Sequence, residues 1–116
     1  MNIMRCWLTV FVACFLFVAC GNSDDNQILF FTHNGCPYCD KALNFVSANY
    51  KDVPMQVLEV ENPANMRKFI SCADKFKLDK SRLGTPLICM GDNYILGWTK
   101  VSERKFRQYV KPFMKK

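Results

Sequence analysis

The 116-residue chain lacks any apolar run long enough to cross a bilayer as a straight helix, and it has a single histidine. It also has no low-complexity segment and no internal repeat beyond two copies of Phe-Val-Ala-Cys. The absence of repeats argues against an array, and the length allows one domain. The lone histidine is His33. The main apolar stretch, CWLTVFVACFLFVA at residues 6–19, carries no charge. As a helix it would reach only about 21 Å at ~1.5 Å per residue, short of a hydrocarbon core of roughly 30 Å. One basic residue precedes it and small residues close it. It therefore reads as an export signal, with an uncleaved N-terminal membrane helix as the alternative.

The stretch ends in Phe17-Val18-Ala19-Cys20-Gly21, which resembles a bacterial lipobox, with phenylalanine where leucine is usual. Cys20 is the expected lipidation site. The same four letters end at Cys14, but a cut there would leave an apolar FLFVA overhang, whereas Gly21-Asn22-Ser23-Asp24-Asp25-Asn26 is polar and loop-like. The expected organisation is a signal peptide at 1–19, a lipidated tether at 20–26 and a folded domain at 27–116. This implies a bacterial envelope location, anchored by lipid and facing the periplasm, with the leaflet open. Of seven cysteines, processing and acylation remove Cys6, Cys14 and Cys20. Cys36, Cys39, Cys72 and Cys89 remain, in a compartment where disulfides persist.

Charge is uneven. Residues 20–61 carry a net −4 and residues 62–116 a net +9. The basic half could face anionic lipid or an acidic partner, although a solvated basic helix face is the better account of it. An exported chain is a poor candidate for nucleic-acid binding, and none is expected.

From Gln27 the pattern reads as alternating elements. Residues 27–32, QILFFT, form a buried strand. Pro37 suits a first helical position, and Ala42, Phe45, Val46 and Tyr50 give residues 37–50 helical spacing. Residues 55–60 form a second strand. Asn62 caps a second helix, whose apolar stripe is Met66, Phe69, Ile70, Ala73 and Phe76. Residues 77–84 form a loop. Residues 86–90 and 94–98 form a hairpin around Gly91-Asp92-Asn93. Ser102 is expected to cap a last helix, with Phe106, Tyr109, Val110 and Phe113 inward and Pro112 limiting its end. The first two strands must be parallel and the last two antiparallel. The fold class is α/β: a single mixed four-stranded sheet in the order β-α-β-α-β-β-α.

The chemistry falls in His33-Asn34-Gly35-Cys36-Pro37-Tyr38-Cys39. Cys36 and Cys39 sit where the first strand meets the first helix. Free N–H groups and the helix dipole favour a thiolate there. Cys36 is expected to be exposed at that end, with Cys39 one turn inside, so that the first can attack a disulfide and the second can resolve it.

A strand followed by CPYC and a helix, with Gly84-Thr85-Pro86 roughly fifty residues on before a hairpin, resembles glutaredoxin within the thioredoxin-fold superfamily. The resemblance spans about residues 27–113 and implies a thioredoxin fold and thiol–disulfide exchange without a cofactor. It implies Cys36 as nucleophile, Cys39 as resolving cysteine and Pro86 as a cis-proline. Thr85 would offer backbone to an extended substrate, and Tyr38 would line the groove. His33 stands where glutaredoxins commonly have lysine, three residues before the pair, and it either tunes the Cys36 thiolate or points to water. The Gly-Gly and acidic pair that grip glutathione are replaced by Leu96-Gly97-Trp98-Thr99, which argues against glutathione dependence. Phe30 occupies the place where thioredoxins often bury an aspartate. Cys72 and Cys89 are expected to form a structural disulfide, with two buried thiols as the alternative.

The implied partners are protein thiols and disulfides, a redox partner protein, and the membrane through the anchor. Two other readings stay open. One is a metal module, either zinc on Cys36, Cys39, Cys72 and Cys89 or copper on Cys36, Cys39 and His33. The other is a redox-silent binding lipoprotein that uses Trp98 and the basic last helix.

Overall fold

The computed structural model describes residues 26–114. The signal segment, Cys20 and nearly all of the tether lie outside the described residues.

The sheet is ordered β2-β1-β3-β4, from β1 (Ile28–Thr32), β2 (Met55–Glu59), β3 (Leu87–Met90) and β4 (Asn93–Leu96). Strand β1 pairs in parallel with β2, Ile28 opposite Met55, and antiparallel with β3, Leu29 opposite Cys89. Three helices surround it: α1 (Pro37–Asn49), α2 (Pro63–Lys75) and α3 (Lys100–Tyr109). The central strands are covered on both faces, so they are apolar almost throughout rather than alternating; all four residues of β3 are buried. The edge strands β2 and β4 are mostly half-buried or exposed.

Two cores result. Ile28 and Phe30 of β1 and Ile88, Met90 and Ile95 of the hairpin pack with Ala42 and Val46 of α1 and Phe106 of α3. On the other face Phe31, Leu87 and Cys89 pack under Phe69 and Cys72 of α2. The first core is aromatic at its centre: Phe106 is fully buried against Phe45, Tyr50 and Trp98, with ring centroids 5.9, 5.5 and 6.3 Å away.

Local chemistry sets the boundaries. Asn62 Oδ1 accepts from Ala64 N and Asn65 N at 2.8 and 3.3 Å, starting α2, a cap of the kind worth about 1 kcal/mol. Between Met90 and its partner Asn93, Gly91 takes φ +67° at the first of two central positions, the geometry of a type II′ turn. The last helix starts differently from the sequence expectation. Thr99 is its N-cap and Ser102 is the third helical residue; each side chain hydrogen-bonds the other's backbone N–H, at 3.0 and 3.3 Å. Both residues are hydroxylated, and only the reciprocal pairing of a capping box tells which of them begins the helix. Pro112 lies beyond α3 in a short 3₁₀ turn, Lys111–Phe113. Among the described residues no helix is long and apolar enough to cross a membrane.

Candidate active site

Cys36 closes the loop after β1 and is itself the N-cap of α1, with Pro37 at the first helical position. A proline there gives up only an N–H that a helix start leaves without a partner. The Cys36 sulfur takes the place of a capping oxygen and accepts from Cys39 N at 3.1 Å. The two cysteines are joined as a disulfide, their Cα atoms 5.2 Å apart.

Cys36 is only 5% exposed, where exposure at the helix end was expected, and Cys39 is 1% exposed. The difference comes from the segment before β3. The Thr85–Pro86 peptide is cis, and Thr85 lies over Cys36. The Thr85 carbonyl oxygen is 3.8 Å from Cys36 Sγ, and Thr85 Oγ1 donates to the same sulfur at 3.4 Å. The side-chain bond adds to the backbone role expected of Thr85. Thr85 and Pro86 precede β3 and its pairing register. Tyr38 stands 56% exposed beside the pair, with Lys41 Nζ 5.7 Å from its ring centroid.

His33 is exposed, yet its Nδ1 is hydrogen-bonded to Thr85 Oγ1. A hydroxyl has one proton. When Thr85 gives that proton to Cys36 Sγ, it must accept one from His33 Nδ1, so the three groups form a chain from imidazole to sulfur. Glu61, just beyond β2, was not foreseen. Its Oε2 accepts from Asn34 N at 2.9 Å and holds the loop that carries His33. That backbone bond, first among the causes, keeps the Glu61 carboxyl below the ordinary 4.5, and the His33 charge acts in the same direction.

Phe30, fully buried, fills the space below the pair. Among the described residues the only buried polar or charged side chains are Thr32 and Ser102, so no buried carboxylate lies beside the pair. Cys72 and Cys89 are bonded to each other with Cα atoms 6.6 Å apart. They lie in the core on the α2 face, while Cys36 and Cys39 belong to the opposite core. A four-thiolate zinc site is therefore not assembled. Trp98 is 6% exposed and packed against Phe45 at 5.4 Å, which removes it as a surface recognition residue. A groove of about 480 Å³ lies on the α2 side, beside Cys72 and Cys89, away from the Cys36 rim.

This strand and helix order, with a cysteine pair starting α1 and a cis-proline facing it, is the thioredoxin fold. No protein-family model matches the chain, and no curated protein matches it by sequence. By structure it is similar to a glutaredoxin from Archaeoglobus fulgidus, at TM-score 0.54 and 18% identity, over 72% of this chain and 85% of that one. A glutaredoxin 1 from Francisella tularensis, solved in complex with cacodylate, aligns at TM-score 0.43 and 20% identity, over 74% and 96%. At the first of these likenesses the shared property is the fold.

Proposed function

We propose that the chain is a thiol–disulfide oxidoreductase, tethered to a bacterial envelope membrane through Cys20, that exchanges disulfides with envelope proteins. The observation that carries this reading is the place of Cys36: its sulfur caps a helix, accepts an amide N–H and lies under the Thr85 hydroxyl. These donors point at one atom and favour negative charge on it.

In the dithiol form the Cys36 thiolate attacks one sulfur of a substrate disulfide, and the other substrate sulfur leaves as a thiolate. Cys39 then loses its proton and attacks Cys36. The Cys36–Cys39 disulfide forms and the second substrate sulfur is released. The same steps run backwards when the disulfide form oxidises a substrate dithiol. An extended substrate segment lies along Thr85 and Pro86, with Tyr38 as the flanking surface. An open rim suits a peptide better than an enclosed small molecule. The residues after Gly97 offer no acidic pair, and Trp98 is buried, so protein disulfides fit better than glutathione.

The test is insulin reduction together with trapping of a mixed disulfide. The Cys39→Ala variant is expected to accumulate a covalent intermediate through Cys36, and Cys36→Ser to form none and fall to background. Full activity in Cys36→Ser would sink the proposal.

A further inference from the structure

We infer that the reduced form of this site captures one monovalent copper ion, with His33 as third ligand beside Cys36 and Cys39, and that the disulfide form excludes it. One ring nitrogen of His33 and the two sulfurs all lie within 4.8 Å of one another, and they are the one such group among the described residues. With metal–ligand bonds of ~2.0–2.3 Å, three donors around one ion stand roughly 3.5–4 Å apart. Opening the S–S bond and a small turn of the imidazole bring them to that spacing.

The donor set selects the metal. Two thiolates and one imidazole are soft, and soft sets favour Cu(I). Structural zinc takes four ligands in a closed tetrahedron, and this group supplies three. The sulfurs are 5% and 1% exposed while His33 is exposed, so the imidazole closes a dry sulfur pair from the solvent side. The Nδ1 bond to Thr85 Oγ1 keeps the ring beside the sulfurs in the metal-free site; a ligating Nδ1 gives up that bond, and its proton passes to Nε2. The balance is simple. A thiol reductant supplies two electrons and two protons to the disulfide. Copper capture returns the two thiol protons to solvent and leaves the ion at the +1 state. The inference requires the dithiol alone, not turnover, so it stands or falls apart from the exchange reaction.

The experiment uses the full-length chain in mild detergent, with Cys6→Ser, Cys14→Ser and Cys20→Ser, so that Cys36, Cys39 and the Cys72–Cys89 pair are the cysteines left. It is reduced until two thiols per chain are free, peptide mapping of the reduced chain identifies the free thiols as Cys36 and Cys39, and Cu(I) is titrated against a chromophoric Cu(I) chelator. The expected result is one copper per reduced chain, none in the disulfide form, and X-ray absorption showing two sulfurs and one nitrogen. Outer-shell partners of a metal ligand are alone worth about ten- to a hundredfold in affinity, so His33→Ala is expected to lose at least about tenfold. Cys36→Ser should lose stoichiometric binding. Zinc in the same titration should stay with its chelator. Equal copper affinity in His33→Ala with a sulfur-only shell, or one zinc retained per chain, would overturn the inference.

Discussion

The molecule holds two disulfides on opposite faces of one sheet, and their surroundings differ more than their chemistry. Cys36–Cys39 closes a single turn. One of its sulfurs is met by an amide N–H, a hydroxyl and, through that hydroxyl, an imidazole. Cys72–Cys89 joins α2 to β3 across a separation of 17 residues. It is packed with Phe31, Phe69 and Leu87, and no hydrogen-bond donor meets either of its sulfurs among the described residues. A sulfur offered donors leaves or attacks as a thiolate more readily; one set among hydrocarbon is held inert. The first bond is placed to be exchanged and the second to hold α2 against the sheet.

The comparison breaks most sharply under cysteine replacement. Cys36→Ser is expected to remove disulfide exchange entirely, a loss of several orders of magnitude in insulin reduction, with little change in thermal stability. Replacing Cys72 and Cys89 together by alanine should do the converse. A loop of this length is worth about 3 kcal/mol on the chain-entropy account. At ~4–8 °C per kcal/mol that is a fall in Tm of roughly 12–24 °C, read by calorimetry, with exchange retained below the new midpoint. A double variant that kept its Tm would show that the α2 face does not depend on its bridge.

A smaller effect sharpens the first region. Thr85→Val keeps the volume and removes the hydroxyl. A hydrogen bond to a charged sulfur is worth about 1.5–3 kcal/mol, so the Cys36 thiol should titrate about one to two units higher. The pH dependence of its alkylation rate, followed by mass spectrometry of the Cys36 peptide, reads this directly. An unchanged midpoint would remove the His33–Thr85 chain from the account.

The smallest effect concerns the loop. The Glu61 carboxyl titrates below 4.5 because Asn34 donates to its ionised form. A folded-state value below the unfolded one contributes stability that is fully present above the unfolded pKa and is lost as pH falls through the folded one. Glu61→Gln should therefore lower stability slightly at neutral pH, change little in acid, and so flatten the acid limb of the stability curve. The carboxyl carbon resonance of Glu61 in the wild-type chain should shift only below its ordinary midpoint. Titration at or above 4.5 would mean that the loop anchor is absent in solution.

Local signals made much of this legible. The strand and helix order followed from hydrophobic period, from Asn62-Pro63 and from the Gly91-Asp92 turn, and the cysteine pair was placed at a strand-to-helix junction by the apolar run at 27–32, Pro37 and the helical spacing after it. What escaped was set by contacts between residues far apart in the chain. The cover on Cys36 comes from Thr85, and His33 meets Thr85 across 52 positions, so neither the burial nor the hydroxyl bridge has a local signature. Glu61 meets Asn34 across 27 positions through a backbone N–H that no side-chain motif announces. Trp98 was read as the end of the strand at 94–98 and as a binding residue in one alternative, yet the strand stops at Leu96, Gly97 takes φ +84°, and the indole is buried in the core. Thr99 and Ser102 are both acceptable caps, and the three-residue spacing of their reciprocal bonds decides between them.

The account rests on negative charge being stabilised at one sulfur by the start of α1. The most direct measurement is the alkylation rate of Cys36 against pH in a Cys39→Ala variant, which keeps the donating backbone N–H of residue 39. The expected midpoint lies well below the ~8.5 of an ordinary cysteine. A midpoint at or above that value would contradict the account.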